Sequence, residues 1–304
     1  MTTVPAPTTV EEYISWAKQG LNVDFGLPNT KNRYDVNVQA AQNAIQDSAY
    51  ISNMRGFLES EDTRYKERTG INLLTSLDFT VIRKPFSSAV EKSFRHNILK
   101  NREFPKAPPW QGGWITPDNW YTRFDDLVRG TLVCKFMDGP SLLAEALDSY
   151  ATQLGLKSRH VARGTENGYY AFHHYTTFGV DVMDGDWNST PVTVELELQI
   201  TTQLQEVLRN LTHPLYEIAR SKRPERGDLW KWDHDSPRFR ASYLGHTLHM
   251  IEAIMLQVRN SLSPPPNPPA SDANPPLEAL REATEGISQN PILISISKAT
   301  THEE

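Results

Sequence analysis

Acidic and apolar side chains alternate in the stretch VELELQITT, residues 194–202. Successive side chains of a strand point to opposite faces, so Glu197 and Gln199 share one face and the leucines occupy the other. A second acidic pair, Asp125 and Asp126, directly precedes another apolar run, LVRGTLVCKF. Mg²⁺ is usually held by one or two carboxylates together with substrate phosphates. Asp126 and Glu197 are therefore predicted to bind a metal ion; the alternative is two solvated acids on an open sheet face.

Basic residues that suit phosphate binding come earlier, in RKPFSSAVEKSF. Lys84, Ser88 and Lys92 follow one another at intervals of four residues, which places them on one face of a helix near its start. This helix is predicted from about residue 87 to residue 101. Helix N-termini attract anions, and two ammonium groups flanking a hydroxyl suit a chain of phosphates. An ordinary solvated helix face would show the same spacing.

A third candidate segment, NGYYAFHHY, begins at Asn167 and Gly168, a pair typical of a turn. In the strand that follows, Tyr169 and His173 have the same parity and share a face. A tyrosine ring can stack on a nucleobase for about 1–3 kcal/mol. A histidine beside it can bond a phosphate or ribose oxygen. The alternative is a strand whose aromatic residues belong to the core.

In this order, the three segments resemble the synthetase domain of the RelA/SpoT family, and its single-domain small alarmone synthetases most closely. The similarity covers roughly residues 75 to 220. The matching positions are the K-x-x-x-S-x-x-x-K helix (Lys84, Ser88, Lys92), the Asp before the next strand (Asp126), the N-G-Y-x-x-x-H segment (Asn167, Gly168, Tyr169, His173), the E-[IL]-Q-I-x-T strand (Glu197, Gln199, Thr202) and a following His213 and Tyr216.

The resemblance implies an α+β fold with a nucleotidyltransferase-like mixed β-sheet flanked by helices. It implies an ATP-dependent pyrophosphokinase that uses Mg²⁺ and transfers the β,γ-pyrophosphate of ATP to the 3′-hydroxyl of a purine nucleotide, making (p)ppGpp- or (p)ppApp-type alarmones. The implied residue roles are metal binding by Asp126 and Glu197, proton acceptance by Glu197, ATP phosphate binding by Lys84, Ser88 and Lys92, and acceptor binding by Asn167, Gly168, Tyr169, His173 and Gln199.

The sequence departs from the family pattern where arginines usually hold the adenine of ATP. Those positions carry Ile82 and Thr131, while arginines occur nearby at Arg83 and Arg129. An odd displacement along a strand reverses the face, so a neighbouring arginine substitutes only if a local bulge restores its direction. Arg83 and Arg129 are thus candidate ATP-binding residues, and the alternative is that other groups hold the donor base. The family's arginine after Gln-Ile is replaced by Thr201.

Two alternative functions remain open. Toxic members of the family pyrophosphorylate the 3′ end of tRNA, and RSKRPERG supplies a basic segment for phosphate contacts, namely Arg220, Lys222, Arg223 and Arg226. A catalytically silent module that senses nucleotides or a protein partner is the third reading. Two facing carboxylates that repel each other without a cation argue against it.

The elements that must position these residues follow from periodicity. Helices are predicted over residues 39–60, 139–155, 202–221 and 239–262, and strands over residues 129–136, 169–183 and 190–200. We expect a helical region over residues 1–75, a synthetase core over 76–262 and a tail over 263–304. Seven prolines between Pro264 and Pro276 predict a stiff linker in that tail. Three hypotheses about the tail remain open: it is inert, it inhibits the chain itself, or it binds a partner.

Bulk composition narrows the class of protein. The 304 residues carry 37 acidic and 31 basic side chains, a net charge of −6, which argues against a general nucleic-acid coat but not against a local basic patch. A single cysteine, Cys134, indicates no disulfide framework. We find no signal-peptide pattern and no apolar run of membrane-spanning length, so we expect a cytoplasmic protein without a membrane partner. A homo-oligomer is possible.

Overall fold

The computed structural model describes residues 5–109, 112–220 and 229–262, without the side chains of 214–220. The helices of this part are α1 (Val10–Gly20), α2 (Pro28–Gln46), α3 (Ala49–Ser52), α4 (Met54–Thr69), α5 (Phe86–Phe94), α6 (Trp120–Arg123), α7 (Gly139–Gln153), α8 (Gln203–Arg220) and α9 (Pro237–Leu262). A π-helical segment (Arg95–Leu99) continues α5, and a 3₁₀ turn (Leu229–Lys231) precedes α9. The strands are β1 (Ile82–Arg83), β2 (Val128–Cys134), β3 (Ser158–Gly164), β4 (Tyr170–Met183) and β5 (Ser189–Thr202).

The strands form a five-stranded mixed sheet in the order β1-β2-β5-β4-β3. The central pair β2 and β5 is parallel, and the other pairs are antiparallel. The predicted α+β class, a mixed sheet flanked by helices, is therefore confirmed. The two outer strands, β1 and β3, were not predicted. Both are edge strands with charged residues and no continuous apolar face, so the signal on which strand prediction depends is missing.

Strand register divides the sheet into an apolar and a polar face. Val128 of β2 pairs with Leu196 of β5, and both side chains are fully buried. The alternate residues pair Arg129 with Glu197, and Glu197 in turn with Tyr175 of β4. Paired residues point to the same side of a sheet. The candidate residues with odd numbers on β2, β4 and β5 therefore lie on the polar face.

Helices α2 and α7 cover the apolar face of the sheet. Leu143, Ala144 and Leu147 of α7 are fully buried, at the spacing of three and four residues that defines one face of a helix. The N-terminal helices join the same hydrophobic core through a cluster of aromatic rings around Trp120, which is fully buried and stacks on Phe25. None of the helices in the described part of the chain has the length and apolar character of a membrane span.

Two predicted helices differ from the observed ones. The helix predicted over 39–60 is divided among α2, α3 and α4, because Ser48 caps a new helix: its Oγ lies 3.4 Å from the Ile51 amide nitrogen. The helix predicted over 87–101 begins at Phe86, after Pro85 in extended conformation, and changes to a π-helix at Arg95. Lys84 therefore precedes α5 and does not share a helix face with Lys92.

Candidate active site

Two lysines and two aspartates form a partly buried cluster at the start of β2. The Nζ of Lys84 lies 2.7 Å from Asp126 Oδ2, and the Nζ of Lys92 lies 2.8 Å from Asp126 Oδ1. Lys92 also pairs with Asp125 at 2.9 Å. Each oxygen of the Asp126 carboxylate is thus bonded to a different ammonium group. The structure brings Asp126 together with Lys84 and Lys92, which precede it by 42 and 34 positions in the sequence.

Backbone and aromatic contacts hold both lysines in place. The amide of Lys84 donates to the carbonyl of Leu127, at 2.8 Å, and its carbonyl accepts from the Tyr34 hydroxyl at 2.7 Å. The ammonium group of Lys92 lies 4.7 Å from the centre of the Phe124 ring. A cation over an aromatic face is stabilised where water is excluded. The cluster is therefore built by β1, α5 and the segment before β2 together.

Burial and charge act in opposition on these groups. Burial lowers the pKa of Lys84 and outweighs the neighbouring Asp126. Burial also acts to lower the pKa of Lys92, but Asp126 and Asp125 together raise it above its usual value. For Asp126, burial acts to raise the pKa, yet the paired Lys92 and Lys84 hold it well below its usual range. Pairing with the aspartates therefore offsets part of the cost of burying the two ammonium groups.

Glu197 is held by hydrogen bonds from both neighbouring positions on the polar face. Its Oε1 lies 2.7 Å from His173 Nδ1 and accepts from the Tyr175 hydroxyl at 3.1 Å. Its Oε2 accepts from Gln199 Nε2 at 3.0 Å. Strand register explains the arrangement, because Tyr175 pairs with Glu197, and His173 pairs with Gln199. A buried carboxylate with this many donors has a fixed orientation.

The residues that the sequence predicts to bind an acceptor continue this network. Asn167 and Gly168 lie in the turn between β3 and β4, as predicted, and Gly168 has a positive φ of 73°. The Tyr169 hydroxyl lies 3.0 Å from His173 Nε2, and the two rings meet edge to face. Both ring nitrogens of His173 are thus engaged, one by Glu197 and one by Tyr169. A chain of hydrogen bonds connects Tyr169 to Glu197.

The two clusters adjoin each other on the sheet. Arg129 follows Asp126 by three residues and pairs directly with Glu197 in the β2–β5 ladder. Burial, and after it the charge of Glu197, raises the pKa of Tyr175, and Asp125 contributes to the same rise. Tyr175 therefore lies in the electrostatic field of both acidic groups. Neighbouring strands are about 4.8 Å apart, so the backbone pairing of Arg129 with Glu197 brings β2 and β5 side by side at this point.

The arginines near the missing family positions fall on different faces. Arg129 is two residues from Thr131 and shares its face, which is that of Glu197. Ile82 pairs with Arg129, so it also belongs to that face, where its side chain is exposed. Arg83 pairs with Val128, and it lines a groove together with Ile82 and residues of α2. The β2–β5 register runs without a bulge, so Arg129 keeps the face of Glu197.

Three residues of the site were missed by sequence reasoning. Tyr175 has the parity of His173, a signal that was available. Arg209 of α8 donates to Gln199 Oε1 at 3.0 Å and so orients the amide that faces Glu197. Arg159 of β3 lies 3.9 Å from the centre of the Tyr175 ring and pairs with Glu195. No local sequence pattern assigns either arginine to the site, because α8 and β3 come close to Gln199 and Tyr175 only in the tertiary fold.

The donor set at the two clusters suits Mg²⁺, which prefers carboxylate oxygens and completes its shell with phosphates and water. Asp126 and Glu197 would hold the ion. Among the described residues, no group of three or more histidine, cysteine, aspartate or glutamate side chains is arranged to bind a metal on its own.

The remaining candidate residues lie on α5 and α8 or outside the described part of the chain. Ser88 is half-buried in the first turn of α5, and His213 is exposed on α8. The Tyr216 and Arg220 side chains, the basic residues Lys222, Arg223 and Arg226, and the tail over residues 263–304 lie outside the described residues.

Comparisons with known proteins give matches among solved structures alone. No protein-family profile matches the sequence, and a search of curated proteins finds no significant match. Small alarmone synthetase 1 from Bacillus subtilis is similar at 16% identity, with a TM-score of 0.45 over 76% of this chain and 96% of that chain. That protein has also been solved bound to its product pppGpp.

A GTP pyrophosphokinase family protein from Streptococcus pneumoniae is similar at 15% identity, with a TM-score of 0.41 over 77% of this chain and 96% of that chain. At such identities the likeness concerns the fold alone. In its motifs and in the solved structures that it matches, this chain is similar to synthetase domains of the RelA/SpoT type.

Proposed function

We propose that this chain is an ATP-dependent pyrophosphokinase that transfers the β,γ-pyrophosphate of ATP to the 3′-hydroxyl of a purine nucleotide. One observation carries the proposal. Lys84 and Lys92 converge on Asp126. On the neighbouring strand, Glu197 pairs with Arg129 of β2 in the strand ladder. Its carboxylate is held by His173, Tyr175 and Gln199. Phosphoryl-type transfer depends mainly on positioning and charge neutralisation, which this mixture of lysines and carboxylates can supply.

The lysine cluster forms the donor side. The ammonium groups of Lys84 and Lys92 exchange part of their pairing with Asp126 for the phosphate oxygens of ATP, and Ser88 lies in the same helix start. Asp126 and Glu197 would hold Mg²⁺, which would supply neutralisation of the negative charge on the phosphates. Arg129, which pairs with Glu197 on the neighbouring strand, is the arginine that we expect to contact the donor nucleotide.

The Glu197 network forms the acceptor side. The acceptor's O3′ forms a bond to the β-phosphorus of ATP, the bond from that phosphorus to the bridging α–β oxygen breaks, and AMP leaves. Glu197 takes the proton of the 3′-hydroxyl, and Gln199 orients its carboxylate. Tyr169 stacks on the acceptor base. His173, whose two ring nitrogens contact Glu197 and Tyr169, links base binding to the proton acceptor.

The decisive experiment incubates the purified full-length chain with Mg²⁺ and ATP labelled in the γ-phosphate. Acceptors are GDP, GTP, ADP, ATP and deacylated tRNA, each in a separate reaction, with the Glu197→Gln variant as the control. We expect label on a purine mononucleotide, lost in the variant. Label confined to tRNA would show the alternative acceptor, and no label on any acceptor would overturn the proposal in favour of a silent nucleotide-binding module.

A further inference from the structure

The turn that carries Tyr169 rests directly on helix α9. Gly168 is buried, and a Cβ added to it would lie 2.5 Å from the carbonyl oxygen of Ser242 and 2.8 Å from Gly245 Cα. Conversely, a Cβ on Gly245 would lie 2.4 Å from the carbonyl oxygen of Gly168. Real side chains do not approach so closely, so two backbones touch here because both residues are glycine.

Hydrogen bonds from the same face of α9 secure the turn. The Ser242 hydroxyl donates to the carbonyl of Glu166 at 2.6 Å, and His246 Nε2 lies 3.1 Å from that oxygen. His246 Nδ1 lies 2.8 Å from the Tyr170 hydroxyl. One neutral tautomer satisfies both contacts of His246, with Nε2–H donating to the carbonyl and Nδ1 accepting from the phenol. The turn is thus held on both sides of Gly168.

Further along, α9 is joined to the rest of the sheet. The His249 ring stacks on Tyr170 with centroids 3.6 Å apart and planes 4° apart. Glu252 accepts from the Gln205 amide at 3.1 Å and from the Thr202 hydroxyl. Near the end of the helix, Arg259 pairs with Asp138 at 2.9 Å. The position of α9 is therefore set by β5, α8 and the start of α7, and the turn takes its position from α9.

We propose that α9 is the positioning element of the acceptor side, and that Gly245 and Ser242 are positioning residues for Tyr169. This inference rests on the proposed function and extends it. The turn contacts α9 at Gly168, the next residue is Tyr169, and its hydroxyl contacts His173, which holds Glu197. A displaced turn moves the stacking ring and loosens the acceptor site. The lysine cluster of the donor side belongs to other elements and is unaffected.

The test compares Gly245→Ala with Gly56→Ala, a helical glycine of α4 whose added Cβ would meet nothing within 4 Å. We expect Gly245→Ala to lower kcat/KM for the acceptor on the order of 10- to 100-fold, the effect of a misplaced binding group. The KM for ATP should stay within about twofold of wild type, because Lys84 and Lys92 are held by Asp126, Asp125 and Phe124 and not by α9 or the turn. Equal losses for both substrates, or no loss, would overturn the inference.

A second variant and a second measurement keep the inference testable if Gly245→Ala misfolds or if the proposed function is wrong. Ser242→Ala removes one hydrogen bond and should raise the acceptor KM about threefold to tenfold without changing that for ATP. Backbone hydrogen exchange over residues 165–170 of the full chain should be faster in Gly245→Ala than in wild type or Gly56→Ala. If the wild-type chain transfers to no acceptor, the proposed function fails, and the exchange rates alone decide whether α9 holds the turn. Unchanged exchange would overturn the inference.

Discussion

At the residue scale, the proposed chemistry depends most on Glu197. It is 4% exposed, yet three neighbouring side chains contact its two oxygens, so its carboxylate is oriented without being solvated. An oriented carboxylate in a dry site is an efficient proton acceptor and ion ligand. The sequence showed which face of its strand Glu197 occupies, but it did not show which residues of β4 contact it.

Replacing Glu197 by glutamine should lower kcat by roughly 10²- to 10⁴-fold, the usual contribution of general acid–base catalysis. The amide keeps the volume of the side chain, so circular dichroism and the melting temperature should stay close to wild type. Glu195→Gln is the matched control, since Glu195 lies on the same face of the same strand and pairs with Arg159. Wild-type turnover in Glu197→Gln would remove this residue from the mechanism.

Tyr169 offers two separable contributions, a ring face and a hydroxyl. Tyr169→Ala should weaken acceptor binding by about 1–3 kcal/mol, the value of stacking on one base, and so raise the acceptor KM. Tyr169→Phe keeps the ring and loses the 3.0 Å contact with His173, so kcat should fall a few-fold with little change in acceptor KM. A change in the KM for ATP alone would show that donor and acceptor sides are interchanged.

Asp126 also contributes to stability, because it neutralises two buried ammonium groups. Asp126→Asn should lower the free energy of unfolding at pH 7 by about 3–5 kcal/mol, as expected when one partner of a buried ion pair is removed. The pKa of Asp126 is lowered in the folded state by Lys92 and Lys84 against the effect of burial. Its contribution is therefore fully present above the unfolded pKa of about 3.9 and is lost as the pH falls below it.

Urea unfolding of wild type and Asp126→Asn between pH 3 and pH 7 measures this difference. The gap in the free energy of unfolding should be constant above about pH 5 and shrink below about pH 4. Asp78→Asn is a control, because its pair with Arg55 is exposed and contributes little. A gap that stays constant down to pH 3 would contradict the assigned pairing.

At the element scale, alternation within strands predicts which residues share a face, and register predicts which meet. The helix and strand predictions for α7, β4 and β5 agree closely with the observed bounds, because each has a long, regular apolar pattern. The edge strands β1 and β3 lack that pattern. The assumption that Lys84 belongs to a helix was wrong, because Pro85 starts the helix after it.

The junction of β2 and α7 depends on Gly139, the first residue of that helix. A Cβ at this position would lie 2.7 Å from Cys134 Cβ and 2.9 Å from Leu73 Cδ1. Gly139→Ala should therefore lower the free energy of unfolding by about 1–3 kcal/mol through overpacking. Gly179→Ala in β4, where nothing lies within 4 Å, is the matched control and should be nearly neutral. Equal stability of the two variants in urea would contradict the close packing.

At the scale of the whole molecule, buried histidines make the fold sensitive to mild acid. His174 of β4 is fully buried, with Nε2 3.0 Å from Asp148 Oδ1, and burial lowers its pKa to about 4. In the unfolded chain a histidine titrates near pH 6.5. His174 is thus neutral in the fold and protonated in the unfolded chain between these values, and stability falls on the order of 3 kcal/mol as the pH drops through this window.

His174→Gln should flatten the pH dependence of the unfolding free energy between pH 6.5 and pH 4 by about 1.4 kcal/mol per pH unit. Glutamine places an amide near the position of Nε2 and does not titrate. His234→Gln, at an exposed residue, is the matched control. An unchanged slope in His174→Gln would mean that this residue titrates alike in both states.

The sequence by itself determined the faces of the main strands, the apolar core beneath them and the identity of most candidate site residues. Side-chain alternation and helical periodicity are local, so they can be read from neighbouring residues. Only the tertiary structure decided that Lys84 and Lys92 share Asp126, that Arg129 shares the face of Glu197, and that α9 holds the turn before Tyr169. These depend on register and packing between elements far apart in the chain, which no local pattern contains.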